Sequence, residues 1–391
     1  MIVRLSCPFC NTGFDREAVH ADTRVACPRC GESFAVKGDP GALPGFSENG
    51  TAPSSAMDTQ VPSAKLLRPV AVFAVLSAVA VAGIGLYLVF NKDSHPQPVD
   101  PPPKQAATMP PAAIGGLAYL PADTSVAFAV QPRPIATYAE RTKTDPKELL
   151  LQVGVPPRLF AVFDQAGIKL EQIDHIVGGL ILASDNPIPR MVFSITLVSP
   201  LADDDAFLKV LKAQKFTTAK GATRWKADLG GFPAEMVKPS DRGYVLATDG
   251  KDLDGSLGGR GSGHLSMGLR LSMEKLSPAS VVWLATESAR WDDKPAVKFV
   301  ATLMSQPDLP ARLANVRAVA IGISLEPDPK QAGWLRAPDA AASKKFSETA
   351  ATTFAGKPVT IGEAGDWVSV ESPFDPKQGL TSGVQGMLPK K

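Results

Sequence analysis

The only cysteines in the chain are Cys7, Cys10, Cys27 and Cys30, and they fall in two near-copies of one phrase, CPFCNTGF and CPRCGESF. The spacing is C-x2-C, sixteen residues, C-x2-C, with Pro second in each copy and Phe14 or Phe34 four residues past the second Cys. A tight turn after Cys-Pro brings two sulfurs to one side. Two such turns facing each other form a tetrahedral four-thiolate site, which suits Zn2+. Gly31 supplies the backbone angles such a turn needs, and Asn11, which tolerates the same angles, stands at the matching place. A module this small has too little apolar core to fold alone, so one structural zinc ion would supply most of its stability. Two other chemistries use the same residues. A thioredoxin-like redox pair needs a β-α-β surround, which is missing, and here there are two pairs. Disulfides need an oxidising compartment, whereas the opening MIVRLSCPFC lacks the apolar core of a secretory leader and predicts a cytoplasmic N-terminus. His20 lies off ligand spacing and reads as a surface residue.

The stretch from Ile2 to Val36, with CPFC, TGF, RVACPRC, GESF and the closing AV, resembles the zinc-ribbon family that opens many bacterial membrane-anchored proteins. The resemblance implies a fold of two β-hairpins with the four cysteines as zinc ligands. It implies no reaction. Arg4, Arg16, Arg24, Arg29 and Lys37 are scattered, which argues against nucleic acid as the ribbon's partner.

The elements that would position this module follow from composition. A net charge of +2 gives no global drive toward acidic partners, and 36 prolines beside 33 glycines point to linkers between folded pieces. Residues 1–37 read as the ribbon and 38–69, rich in Gly, Pro, Ser and Ala, as a flexible tether. VAVFAVLSAVAVAGIGLYLVF, residues 70–90, carries no charge and as a helix reaches about 31 Å, which predicts one transmembrane helix. Lys65 and Arg68 before it and Lys92 after it favour an inside N-terminus, placing the chain in the bacterial inner membrane with its C-terminal part periplasmic. Ala74, Ala78 and Ala82 form a small-residue stripe that either brings two spans together as a homodimer or simply faces lipid. Residues 91–113 are proline-dense and should be a stiff spacer.

The rest reads as a duplicated α+β domain with mainly antiparallel sheet: repeat 1 over 114–254, a Gly-rich joint over 255–268 and repeat 2 over 269–391. DTSVAFAVQ (from Asp123) echoes PASVVWLATE (from Pro278), and IDHIVGGLILA (from Ile173) echoes VRAVAIGISLE (from Val316). DDDAFLKVLKAQ parallels AASKKFSETAATTF, and GYVLATD parallels DWVSVES. Alternation in SVAFAV and YVLAT predicts sheets with one face on helices and one toward solvent or a partner. In rhythm and in its LPADTS opening at Leu120 the region resembles uncharacterised extracytoplasmic bacterial domains, a likeness that carries over no residue role.

No catalytic set stands out in this region. His175 and His264 are far apart in sequence and read as surface or capping residues. Asp203, Asp204 and Asp205 precede an apolar helical pattern, where carboxylates suit the positive end of a helix better than a calcium loop. GGRGSG lacks the strand, Gly-Lys-Ser/Thr and helix of a phosphate loop. Trp225, Trp283 and Trp367 fall in strand-like runs and read as core or edge packing. The sequence therefore favours a non-enzymatic single-pass membrane protein whose ribbon and outer domain meet protein partners on either side of the bilayer. One alternative is an envelope hydrolase with an Asp/Glu acid–base pair, which leaves no local signature. Another is a nucleic-acid-binding or regulatory ribbon tethered to the membrane.

Overall fold

The computed structural model describes residues 2–6, 13–17, 24–26 and 33–35 near the N-terminus. It then describes residues 108–374 apart from 154–156, 184, 220, 229–232, 257–261, 289, 292 and 304–308. The chain divides into two units, Met1–Lys65 and Leu66–Lys391.

In the first unit β1 (Ile2–Ser6) pairs antiparallel with β2 (Gly13–Glu17), and β3 (Arg24–Ala26) pairs antiparallel with β4 (Ser33–Ala35). In the backbone register Leu5 stands opposite Phe14 and Val25 opposite Phe34. Val25 is buried.

The second unit is organised by one twelve-stranded sheet. Its first seven strands are β5 (Val126–Val130), β6 (Ile173–Ile181), β7 (Arg190–Leu197), β8 (Gln214–Thr217), β9 (Thr223–Asp228), β10 (Pro233–Ser240) and β11 (Gly243–Ala247). The remaining five are β12 (Ser280–Glu287), β13 (Ala318–Ser324), β14 (Lys330–Arg336), β15 (Thr360–Ala364) and β16 (Trp367–Pro373). The spatial order is β15-β16-β14-β13-β12-β5-β6-β7-β11-β10-β9-β8, with each neighbouring pair antiparallel.

Nine α-helices accompany the strands in the described residues: α1 (Pro132–Thr142), α2 (Pro146–Gln152), α3 (Pro157–Gln165), α4 (Asp204–Val210), α5 (Gly250–Ser256), α6 (Met267–Glu274), α7 (Pro295–Leu303), α8 (Leu309–Leu313) and α9 (Ala340–Thr353). Four of them begin on proline, whose fixed φ and missing N–H suit the first helical position. Part of the high proline count thus starts helices rather than loosening linkers. Asp145, Asp203 and Asp339 cap α2, α4 and α9 through backbone N–H groups one turn in.

Alternation along β5 shows where the cores lie. Val126 and Val130 point to one face, Ala127 and Ala129 to the other. On the first face Val130 packs with Ile135, Leu149, Phe163 and Phe207 from α1–α4, and Val126 packs with Val297 and Phe346 from α7 and α9. On the second face Ala127 and Ala129 meet Leu253 of α5, Leu269 and Met273 of α6, and Leu117 of a 3-10 helix over Gly115–Tyr119. At the sheet centre Gly178 makes room for aromatic packing. A Cβ there would lie 2.0 Å from the ring of Phe128, which meets Phe193 edge to face at 6.0 Å.

The expected architecture needs three corrections. The two halves share one sheet rather than being joined only by a mobile link, because β5 and β12 hydrogen-bond to each other from Val126↔Thr286 to Val130↔Val282. The joint is also partly packed: Leu265 is buried in the same cluster as Leu269. Both faces of the sheet centre are covered rather than one, which is why β6, β11 and β12 are buried almost throughout. Finally, among the described residues no helix is long and apolar enough to cross a membrane. The longest, α9, has 14 residues and spans about 21 Å against a hydrocarbon core of about 30 Å. Residues 70–90, where the span was expected, lie outside the described residues, as do Ala74, Ala78 and Ala82.

Candidate functional site

The cysteine pairs take their setting from the two hairpins. Ser6↔Gly13 closes the first and Ala26↔Ser33 the second, so residues 7–12 and 27–32 form connections of equal length. Cys7 and Cys10, and Cys27 and Cys30, occupy the first and fourth positions of those connections. Four thiols at C-x2-C spacing are a donor set that fits a tetrahedral zinc ion. The four cysteines themselves lie outside the described residues. Among the described residues no group of three or more His, Cys, Asp or Glu side chains could hold a metal ion, so the expected metal centre has no counterpart there.

In the sheet domain His175 and His264, separate in sequence, meet the same 3-10 helix. His175 is buried, and its Nε2 accepts the Gly116 N–H at 3.1 Å, one of the unpaired donors at the helix start. His264 Nε2 donates to the Leu120 carbonyl at 2.5 Å, at the helix end. Because Gly116 can only donate, His175 carries its proton on Nδ1 and gives it to Asp174 Oδ2 at 2.9 Å. That hydrogen bond holds the Asp174 carboxyl below the usual carboxylate range. A histidine oriented by a carboxylate is the base unit of many hydrolases. Here the lone pair a base would use is already engaged by the main chain.

Two arginines grip α5. Arg190 of β7 donates to Asp252 and, at 2.9 Å, to Asp123. Arg224 of β9, itself buried, donates to Glu235 at 2.9 Å, to the Gly250 carbonyl at 2.8 Å and to Asp254. Asp252 is 6% exposed and its Oδ2 has no partner. Burial pushes its carboxyl up to about 6, with Arg190 opposing and Asp249 and Asp123 adding to the rise. A cavity of about 70 Å³ lies elsewhere, lined by Thr108, Pro134, Thr137, Val281, Leu325 and Glu326. That is well below the several hundred Å³ of a small-molecule pocket, and Glu326 is paired with Arg141 at 2.6 Å.

The aspartates of α4 act within the fold. Asp203 accepts the Asp205 N–H at 2.8 Å, and Asp204 takes hydrogen bonds from Lys238 and Tyr244. Trp283 is a core residue. Trp367 and Trp334 flank the ammonium of Lys275, each ring centroid 5.5 Å away. Sequence reasoning missed the Arg190 and Arg224 clusters, since their members lie 11 to 67 residues apart with no local pattern.

No family model matches the chain, and no curated protein matches it. One solved structure, a crystal form of TP0453, is similar with a TM-score of 0.42 at 11% identity, covering 71% of this chain and 99% of that one. A likeness that distant informs neither fold nor function.

Proposed function

We propose that the chain is a two-module binding protein: a ribbon held by one structural zinc ion on Cys7, Cys10, Cys27 and Cys30, joined to a sheet domain that binds a protein partner and performs no catalysis. The reading rests above all on the paired hairpins, whose equal connections carry cysteine at the same two positions. Bound there, zinc would cross-link the two turns and supply the stability that so few apolar residues cannot. For the sheet domain, support comes from the way its polar groups are spent. His175 is committed to Gly116, and the arginine clusters hold α5 to the sheet.

The test is metal analysis of the full chain purified without added chelator. We expect one zinc per chain, lost in a Cys27→Ser, Cys30→Ser variant. Chains that contain no zinc and carry the four sulfurs as disulfides would refute the ribbon. Turnover of an ester, peptide or glycan substrate, abolished by a single carboxylate substitution, would refute the non-catalytic reading.

A further inference from the structure

The element order strand, helices, strand, strand, helix, hairpin occurs twice in the sheet domain, once from β5 to β11 and once from β12 to β16. Outward from the central β5–β12 pair, the sheet runs β5-β6-β7-β11-β10 on one side and β12-β13-β14-β16-β15 on the other. On the first side two more strands follow, because the hairpin β8–β9 lies between α4 and β10 and covers the outer edge of β10. On the second side only residues 354–359 separate α9 from β15, and the sheet ends there. Among the described residues, the edge that is covered on β10 has no strand against it on β15.

The two ends of the sheet also differ in how they are guarded. Exposed sheet edges are usually blunted by lysine, proline or a bulge. At the β8 end Lys215 lies in the edge strand, and Lys226 sits 5.7 Å over the Phe216 ring. The β15 strand, TIGEA, has no lysine, arginine or proline, and its pairing with β16 runs from Thr360↔Glu371 to Ala364↔Trp367 without a shift.

We propose that the outer edge of β15 receives an extended strand from a protein partner, added antiparallel as β9 is added to β10. This deepens the binding reading above and rests on it. The chemistry of the partner strand follows from the edge. Ile361, half-buried at the rim of a core cluster, and Glu363, exposed, share one face of β15. The incoming strand places an apolar side chain beside Ile361 and a lysine or arginine beside Glu363. The covered edge has the same character: Glu235 of β10 stands opposite Lys226 of β9, and Met236 opposite Trp225. A second copy fits less well, since antiparallel pairing about Gly362 would set Ile361 against Glu363 and leave both without a suitable neighbour.

The probe is a fluorescein-labelled nine-residue peptide, Ser-Thr-Ser-Lys-Thr-Val-Thr-Ser-Thr, titrated with the full chain by anisotropy. A second peptide with Glu in place of Lys serves as its control. We expect saturable binding of the Lys peptide, at least about tenfold tighter than the Glu peptide. Ile361→Lys should weaken it at least about tenfold, Glu363→Lys should reverse the preference between the peptides, and Lys215→Glu at the far edge should change neither. Circular dichroism of each variant checks that the fold is retained. The proposal is overturned by absent or equal binding of the two peptides, or by binding that Ile361→Lys and Glu363→Lys leave intact. It is also overturned if sedimentation shows self-association that Ile361→Lys abolishes, or if the edge opens to peptide only after removal of residues 375–391. Zinc content and turnover, measured on the same samples, report on the earlier reading independently of this edge.

Discussion

The stability of the sheet domain should fall as pH rises from 4 to 7, and Asp252 should be the residue responsible. Its carboxyl is raised from 3.8 to about 6 because burial disfavours the charged form more than Arg190 favours it. The folded state therefore holds this proton more tightly than the unfolded state. The resulting stabilisation is complete below pH 3.8, declines as pH rises, and is gone above about 6. A shift of about two units corresponds to about 3 kcal/mol. The lowered carboxyls oppose this trend in a different window. Burial pushes Asp204 up, but hydrogen bonds from Lys238 and Tyr244 more than offset it, and Asp174 is held low by His175. The stability these two contribute is lost only as pH drops below the ordinary carboxylate range. Asp252→Asn keeps an oxygen for Arg190 and removes the titration. Urea unfolding of both proteins at intervals from pH 4 to 8 should give curves that diverge, with the variant gaining about 3 kcal/mol on the parent by pH 7. Parallel curves would mean that the Arg190 contact outweighs burial and that the reasoning is wrong.

Other substitutions give simpler readings. His175→Leu removes the acceptor of a buried backbone N–H and should lower unfolding free energy by about 1–3 kcal/mol; an unchanged urea midpoint would show that Gly116 finds another partner. Gly178→Ala puts a methyl 2.0 Å from the Phe128 ring and should destabilise by about 1–3 kcal/mol, with near-ultraviolet circular dichroism reporting the displaced rings. Lys275→Met removes the cation held between Trp334 and Trp367 and should shift tryptophan fluorescence while costing about 1 kcal/mol or less in thermal unfolding; an unaltered spectrum would place the ammonium elsewhere.

What could be read from the sequence was local. The phrase SVAFAV contains β5, SVVWLATE is β12, and IDHIVGGLI and AVAIGIS are β6 and β13, so pattern alone located strands and their order. Similarity between two segments says nothing of which edges meet, however. The β5–β12 pairing joins residues more than 150 apart and unites the two halves in one sheet. Proline misled for a related reason. In HPQPVDPPP it reads as a spacer, yet Pro132, Pro146, Pro157 and Pro295 stand at helix starts, and composition does not separate these uses. The two histidines were invisible as a pair because what unites them is the backbone of a third segment.

The joining of the two halves also bears on where a partner can bind. Pairing β5 with β12 uses up two edges, and helices on both faces occupy the centre of the sheet. Among the described residues, the two outermost strands of this sheet are then the ones with no neighbouring strand on one side. One of these, β8, carries Lys215 and is reached through a hairpin that the second half lacks. The other, β15, offers a regular register and one glutamate. Since an unpaired row of donors and acceptors is the strongest directional feature a sheet can present, a binding role for this domain places its contact at β15.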